Sequence, residues 1–168
     1  MDTLWARAEH GDSDAAVSLG FLLSGSVLPD SRRRSYENPV EAVRWFRHAA
    51  EMGNVDGMRH LATALNKGSG VLQDDVEADH WYRRAAEMGD TLSMSGLGIM
   101  YSEPGNGAHD DVEAHMWFNL YLIRLDPRRS SWAQWGRGKR NALASRMTPA
   151  QITEAQRRAR EWQAAHPC

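Results

Sequence analysis

The chain has 168 residues, 42% of them hydrophobic and 25% charged, with a mean hydropathy of -0.60. Such a length and composition predict one soluble domain with a sizeable core, and exclude a disordered chain. No apolar run approaches the roughly 18 residues a membrane helix needs, and the start, Met1-Asp2-Thr3-Leu4-Trp5, shows no secretory leader, so a cytoplasmic location is expected. Cys168 is the only cysteine, which excludes an internal disulfide, a four-cysteine zinc site and a CxxC redox pair. The net charge of -2 hides a division: residues 1–123 carry 10 Lys/Arg and 19 Asp/Glu (net -9), residues 124–168 carry 10 and 3 (net +7).

In chain order, Leu4-Trp5-Ala6-Arg7-Ala8-Glu9-His10-Gly11 reads as half a unit, an N-terminal cap over residues 1–11. Ala16, Leu19, Gly20 and Leu23 then share one face of a predicted helix. A long turn over 25–38 leads into Asn38-Pro39, where proline suits a helix's first position, and Ala42, Trp45, Phe46, Ala49 and Ala50 make the next apolar stripe. Gly53 follows the stripe, where a left-handed cap favours glycine.

The first helix returns 42 residues on as Met58/Leu61/Ala62/Leu65 and 36 further on as Met94/Leu97/Gly98/Tyr101, while the second returns at 36 each time, as Ala78/Trp81/Tyr82/Ala85/Ala86/Gly89 and as Ala114/Trp117/Phe118. Trp45, Trp81 and Trp117 keep that spacing, and their place on the stripe assigns them to the core, so Trp81→Ala should cost about 3–5 kcal/mol. Units are thereby expected at 12–53, 54–89 and 90–125. In the third, Tyr121 and Leu122 replace the paired alanines, and the repetition stops. Within the basic remainder, 126–168, Thr148-Pro149-Ala150-Gln151 marks a helix start with a reciprocal cap, and a helix around Trp132–Arg146 would precede it.

This pattern resembles the Sel1-like repeat family, a relative of the tetratricopeptide repeats. The residues that carry the likeness are Leu97-Gly98 with Tyr101, the Gly68-Ser69-Gly70 turn, Asp74-Ala78-Trp81-Tyr82 with Ala85-Ala86-Gly89, and Asp111-Ala114-Trp117-Phe118. The resemblance implies an all-α solenoid of helix-turn-helix units closed by a C-terminal capping pair of helices. It also implies a non-enzymatic scaffold or adaptor that binds another protein, a class that includes bacterial immunity proteins neutralising toxins.

Reactive motifs are missing: no phosphate-binding GxxxxGK[ST], no GxSxG, no HExxH and no calcium loop occurs, and no cofactor or metal is expected. No two of the seven histidines stand four apart, and His109-Asp110-Asp111 coincides with a helix start. Glu41, Glu77 and Glu113 recur in phase, which points to a structural task such as pairing with arginines.

If the first helix of each unit turns its core face inward, a second stripe is left for a partner. It comprises Asp14, Val17, Phe21 and Ser24, then Asp56, Arg59, Thr63 and Asn66, then Leu92, Ser95, Ile99 and Ser102. Self-packing of these residues is the alternative. The long first turn, with Arg32, Arg33, Arg34 and Tyr36, is a second candidate surface for an acidic partner. Two further readings stay open: nucleic acid on the basic C-terminal helices, where Trp132 and Trp135 interleave with arginines, and a hydrolase using the groove.

Overall fold

A computed structural model describes residues 2–25, 37–105, 107–125 and 130–167. Among these the secondary structure is entirely helical: α1 (Asp2–Glu9), α2 (Ser13–Leu23), α3 (Pro39–Glu51), α4 (Val55–Lys67), α5 (Asp75–Glu87), α6 (Thr91–Ser102), α7 (Asp111–Arg124), α8 (Ser130–Ala144) and α9 (Pro149–Ala165). None of these helices is long and apolar enough to cross a membrane. The chain forms two compact units, residues 1–85 and 86–168.

The helices begin where local chemistry starts them. Asp12, Asn38, Asn54 and Asp74 each place a side-chain oxygen on a backbone N–H of the following first turn, and Asp90 and Asp110 do the same further on. Pro39 and Pro149 occupy first-turn positions, where a missing N–H costs nothing. Thr148 and Gln151 close the expected reciprocal cap. Gly53 and Gly89 take φ of +86° and +91°, the left-handed turn that lets the chain reverse into the next helix.

In the first unit α1 packs on α2, α2 on α3 and α3 on α4, each helix covering the apolar stripe of its neighbour. Ala16, Leu19, Met58, Leu61 and Ala62 are fully buried. Gly20 faces the Phe46 ring, which occupies the space a side chain would need. Gly57 lets α4 approach the backbone of α3 so closely that an added methyl would stand 2.7 Å from the Ala49 Cβ.

In the second unit α6 packs on α7, and both α8 and α9 pack on α7. Here Gly98 lies against the Phe118 ring, the counterpart of Gly20 and Phe46. Tyr121, where the earlier units carry alanine, is 1% exposed and meets Trp135 of α8 edge-on at 6.0 Å. Gly136 makes room for it, since a Cβ there would come within 2.7 Å of the Tyr121 ring. From the other side Trp162 of α9 meets Trp117 at 5.6 Å and 69°. Replacing small residues by a large ring thus changes the partner of α7 from another repeat to the C-terminal helices.

Candidate functional site

The first unit holds a pocket of about 500 Å³ whose walls come from α2, α3, α4 and the turn after α4. Its apolar wall is Phe21, Val43 and Phe46; its polar groups include Ser24, Glu37, His60, Thr63 and Lys67. Phe21 meets His60 edge-on at 4.4 Å, while Phe46 stacks on the same imidazole at 5.2 Å and 27°. The His60 Nε2 atom is shielded from solvent and has no hydrogen-bond partner among the described residues.

Burial and the adjacent Arg59 charge push the His60 pKa down to about 4, against a smaller opposing pull from Asp56. Its imidazole is therefore neutral at pH 7, with one nitrogen able to accept and the other to donate. Stability follows with a definite sign. The unfolded chain binds a proton at this histidine below about pH 6.5 while the folded chain resists until about pH 4, so acidification favours unfolding through that interval. Between pH 7 and pH 5 the loss should be about 2 kcal/mol in urea-unfolding free energy, and His60→Phe should remove most of it. An imidazole titration by NMR with a midpoint near 6.5 would refute the assignment.

The structure brings together Phe21, Ser24 and Thr63 of the sequence-derived stripe in this pocket. The other stripe residues of the first unit are engaged elsewhere. Val17 is 8% exposed and belongs to the core cluster with Ala8 and Ala16, because α1 covers that side of α2. Asp14 accepts a hydrogen bond from the Asn54 side chain at 2.8 Å, Asp56 is paired with Arg59, and Asn66 donates to Asp75 at 3.0 Å. Thr63 shares a 2.8 Å hydrogen bond with the Tyr82 hydroxyl. In the second unit Leu92 is exposed, Ile99 half-buried, and the Ser95 and Ser102 hydroxyls donate to carbonyls of their own helix. Arg32, Arg33, Arg34 and Tyr36 lie outside the described residues. His60 and Phe46 were missed as site residues, the one counted among scattered histidines and the other assigned to the core stripe.

The recurring glutamates do pair with arginines, each in its own way. Both oxygens of Glu77 accept from the Arg47 guanidinium of the preceding hairpin, and Glu77 also accepts from the Trp81 indole N–H at 3.2 Å. That guanidinium holds the Glu77 carboxyl below its ordinary range. Glu113 receives Arg158 of α9 at 2.8 Å, and Glu41 receives, among the described residues, Arg44 of its own helix at 3.2 Å.

Several basic residues of the C-terminal helices are spent on such pairs. Arg146 binds Asp111, Arg157 binds Glu154 and Glu161, and Arg158 binds Glu154 as well as Glu113. Glu154, between two guanidinium groups, titrates at about 2. Among the described residues no cluster of three or more histidines, cysteines or acids has the makings of a metal site.

Tandem helix hairpins, packed helix on helix within each unit, define the molecule as a repeat protein of the solenoid class. The Sel1 repeat matches three times, at residues 13–54, 55–90 and 91–120, and the chain belongs to that family. Members of the family are generally non-catalytic scaffolds that mediate protein–protein interactions. Among solved structures, a protective antigen of uropathogenic Escherichia coli with an SLR fold is similar at a TM-score of 0.67 and 24% identity, over 97% of this chain. This chain spans only 40% of that antigen's length. A Sel1 repeat protein from Oxalobacter formigenes is similar at a TM-score of 0.62 and 26% identity, over 74% of this chain and 91% of the other. No curated protein matches.

Proposed function

We propose that the chain is a non-enzymatic adaptor that holds a partner protein at the pocket between α2, α3 and α4. The observation that carries this is the make-up of the pocket: two phenylalanine rings around a neutral imidazole whose Nε2 has no hydrogen-bond partner among the described residues. A partner's apolar side chain would bury against Phe21 and Phe46, and one polar atom beside it would satisfy the imidazole. An apolar anchor with one buried polar contact is the usual composition of an interface centre. Lys67 and Glu37 at the pocket would then set the charge preference of the partner's flanking residues. Neutralisation of a toxin is one form this adaptor role takes in the family that the repeats resemble, and a toxin bound here would be blocked by occupancy alone.

Affinity purification from the source cells with wild type, Phe21→Ala and Lys67→Glu tests the assignment. A partner recovered by wild type should be reduced about tenfold or more by Phe21→Ala, in line with loss of one aromatic anchor, and moderately by Lys67→Glu. Equal recovery by all three baits, with unchanged helical circular dichroism, would move the interface away from this pocket.

A further inference from the structure

Glutamate, tryptophan and arginine form one device in the second hairpin, and the first hairpin contains only part of it. In the second, Trp81 Nε1 donates to Glu77, and the Glu77 carboxylate is gripped at both oxygens by Arg47, which projects from the hairpin before. In the third, Glu113 likewise takes an arginine from another helix, Arg158. Thirty-six residues before Trp81 and Glu77 stand Trp45 and Glu41. The half-unit α1, aligned by Ala8-Glu9-His10-Gly11 on Ala50-Glu51-Met52-Gly53, places Trp5 where the next hairpin has Arg47. The indole of Trp5 meets Trp45 edge-on at 5.4 Å and brings no charge to Glu41.

Three observations describe this place in the first hairpin. Trp45 Nε1 is shielded from solvent and has no hydrogen-bond partner among the described residues. Glu41 is held by the side chain of Arg44 through one contact at 3.2 Å, and Arg44 is itself 75% exposed. Between α1 and α3 lies an open pocket of about 330 Å³ lined by Glu9, Glu41, Arg44, Trp45 and His48. Its lining holds two carboxylates against one loosely held guanidinium.

We infer that this pocket is an arginine slot: it receives an arginine side chain presented by a partner protein, with Glu41 gripping the guanidinium as Glu77 grips that of Arg47. On arrival the guanidinium displaces Arg44 from Glu41. The carboxylate then takes the position Glu77 holds, where one oxygen also accepts from the Trp45 indole N–H. Glu9 adds a second negative charge beside it. A bidentate guanidinium–carboxylate pair has the geometry and strength that the single Arg44 contact lacks. The slot is separate from the pocket between α2, α3 and α4 and does not depend on that pocket binding anything.

The test uses the whole chain and a defined probe, N-acetyl-arginine N-methylamide, with the citrulline analogue as its uncharged isostere. The Trp45 indole N–H resonance, identified by its loss in Trp45→Phe, is followed by NMR. The arginine compound should shift that resonance with saturation in the millimolar range, the citrulline compound about tenfold more weakly. Arg44→Ala should keep or strengthen the response, Glu77→Gln should leave it in place, and Glu41→Gln should abolish it. Equal responses to the two compounds, persistence in Glu41→Gln, or no response at all would overturn the inference. So would an indole shift that follows the protein's own concentration and ignores the probe, which would give the slot to a second copy of the chain. Since the readout is Trp45, failure here is distinguishable from failure at the Phe21 pocket.

Discussion

Truncating the three repeated tryptophans to alanine is expected to destabilise the fold in the order of their enclosure, with Trp117→Ala the most damaging at about 3–5 kcal/mol. Trp117 has no exposed surface and is packed between its own hairpin and Trp162 of α9. Removing it would leave a cavity in the layer that holds the C-terminal helices on α7. Trp81 is 7% exposed, donates to Glu77 and has Arg84 over its ring at 5.5 Å. Its truncation should cost nearly as much, and Glu77 would lose one of its two donors. Trp45 is only half-buried, touching Trp5 and the edge of the α1–α2 core, so its truncation should cost about 1–3 kcal/mol. Urea unfolding of the three variants checks the order. Equal losses would mean that sequence periodicity, and not enclosure, governs their contribution.

That order was not readable from the spacing alone. Residues 45, 81 and 117 occupy one position of one repeat, and periodicity treats them as equivalent. What separates them is the element on the far side: a short half-unit beside Trp45, and a full helix, α9, against Trp117. Features decided within a few residues were legible, because their causes are local. The helix starts at Asn38 and Thr148 and the glycine turns at 53 and 89 follow from chemistry within one or two turns. Asp56 and Arg59 stand three apart on one helix, a spacing that favours their mutual pairing, and the structure pairs them.

The pocket was less legible because its chemistry belongs to three helices at once. His60 sits between the core positions 58 and 61, and of its immediate neighbours only the charge of Arg59 works towards a neutral imidazole. It becomes one through Phe21 and Phe46, which arrive from 39 and 14 residues away in sequence. Val17 failed as a surface residue for a related reason. The helical phase that puts 17 beside 14 and 21 is correct, but α1 lies over that part of α2 and takes the position into the core. A stripe derived from one helix cannot report what its neighbours cover.

Gly70→Ala should cost about 3 kcal/mol, more than either Gly53→Ala or Gly89→Ala at about 1 kcal/mol, although all three glycines have positive φ. The common part is the left-handed backbone, which an alanine adopts only against its Cβ. The difference is space. Around Gly53 and Gly89 an added methyl would meet nothing within 4 Å, whereas at Gly70 it would run into the Pro39 carbonyl and come within 2.9 Å of the Val40 nitrogen. Those are backbone atoms at the start of α3 and cannot turn aside as a side chain would, so the turn after α4 or the first turn of α3 must move. Gly70 and Pro39 both line the pocket that contains His60. The strain in Gly70→Ala would therefore be felt at the site as well as in the unfolding free energy, and partner recovery should fall with it. Gly53→Ala, strained but remote from the pocket, should lower stability and leave recovery unchanged. If Gly70→Ala unfolds with the same loss as Gly53→Ala, the close approach of the turn to α3 is wrong, and with it the wall that gives the pocket its depth.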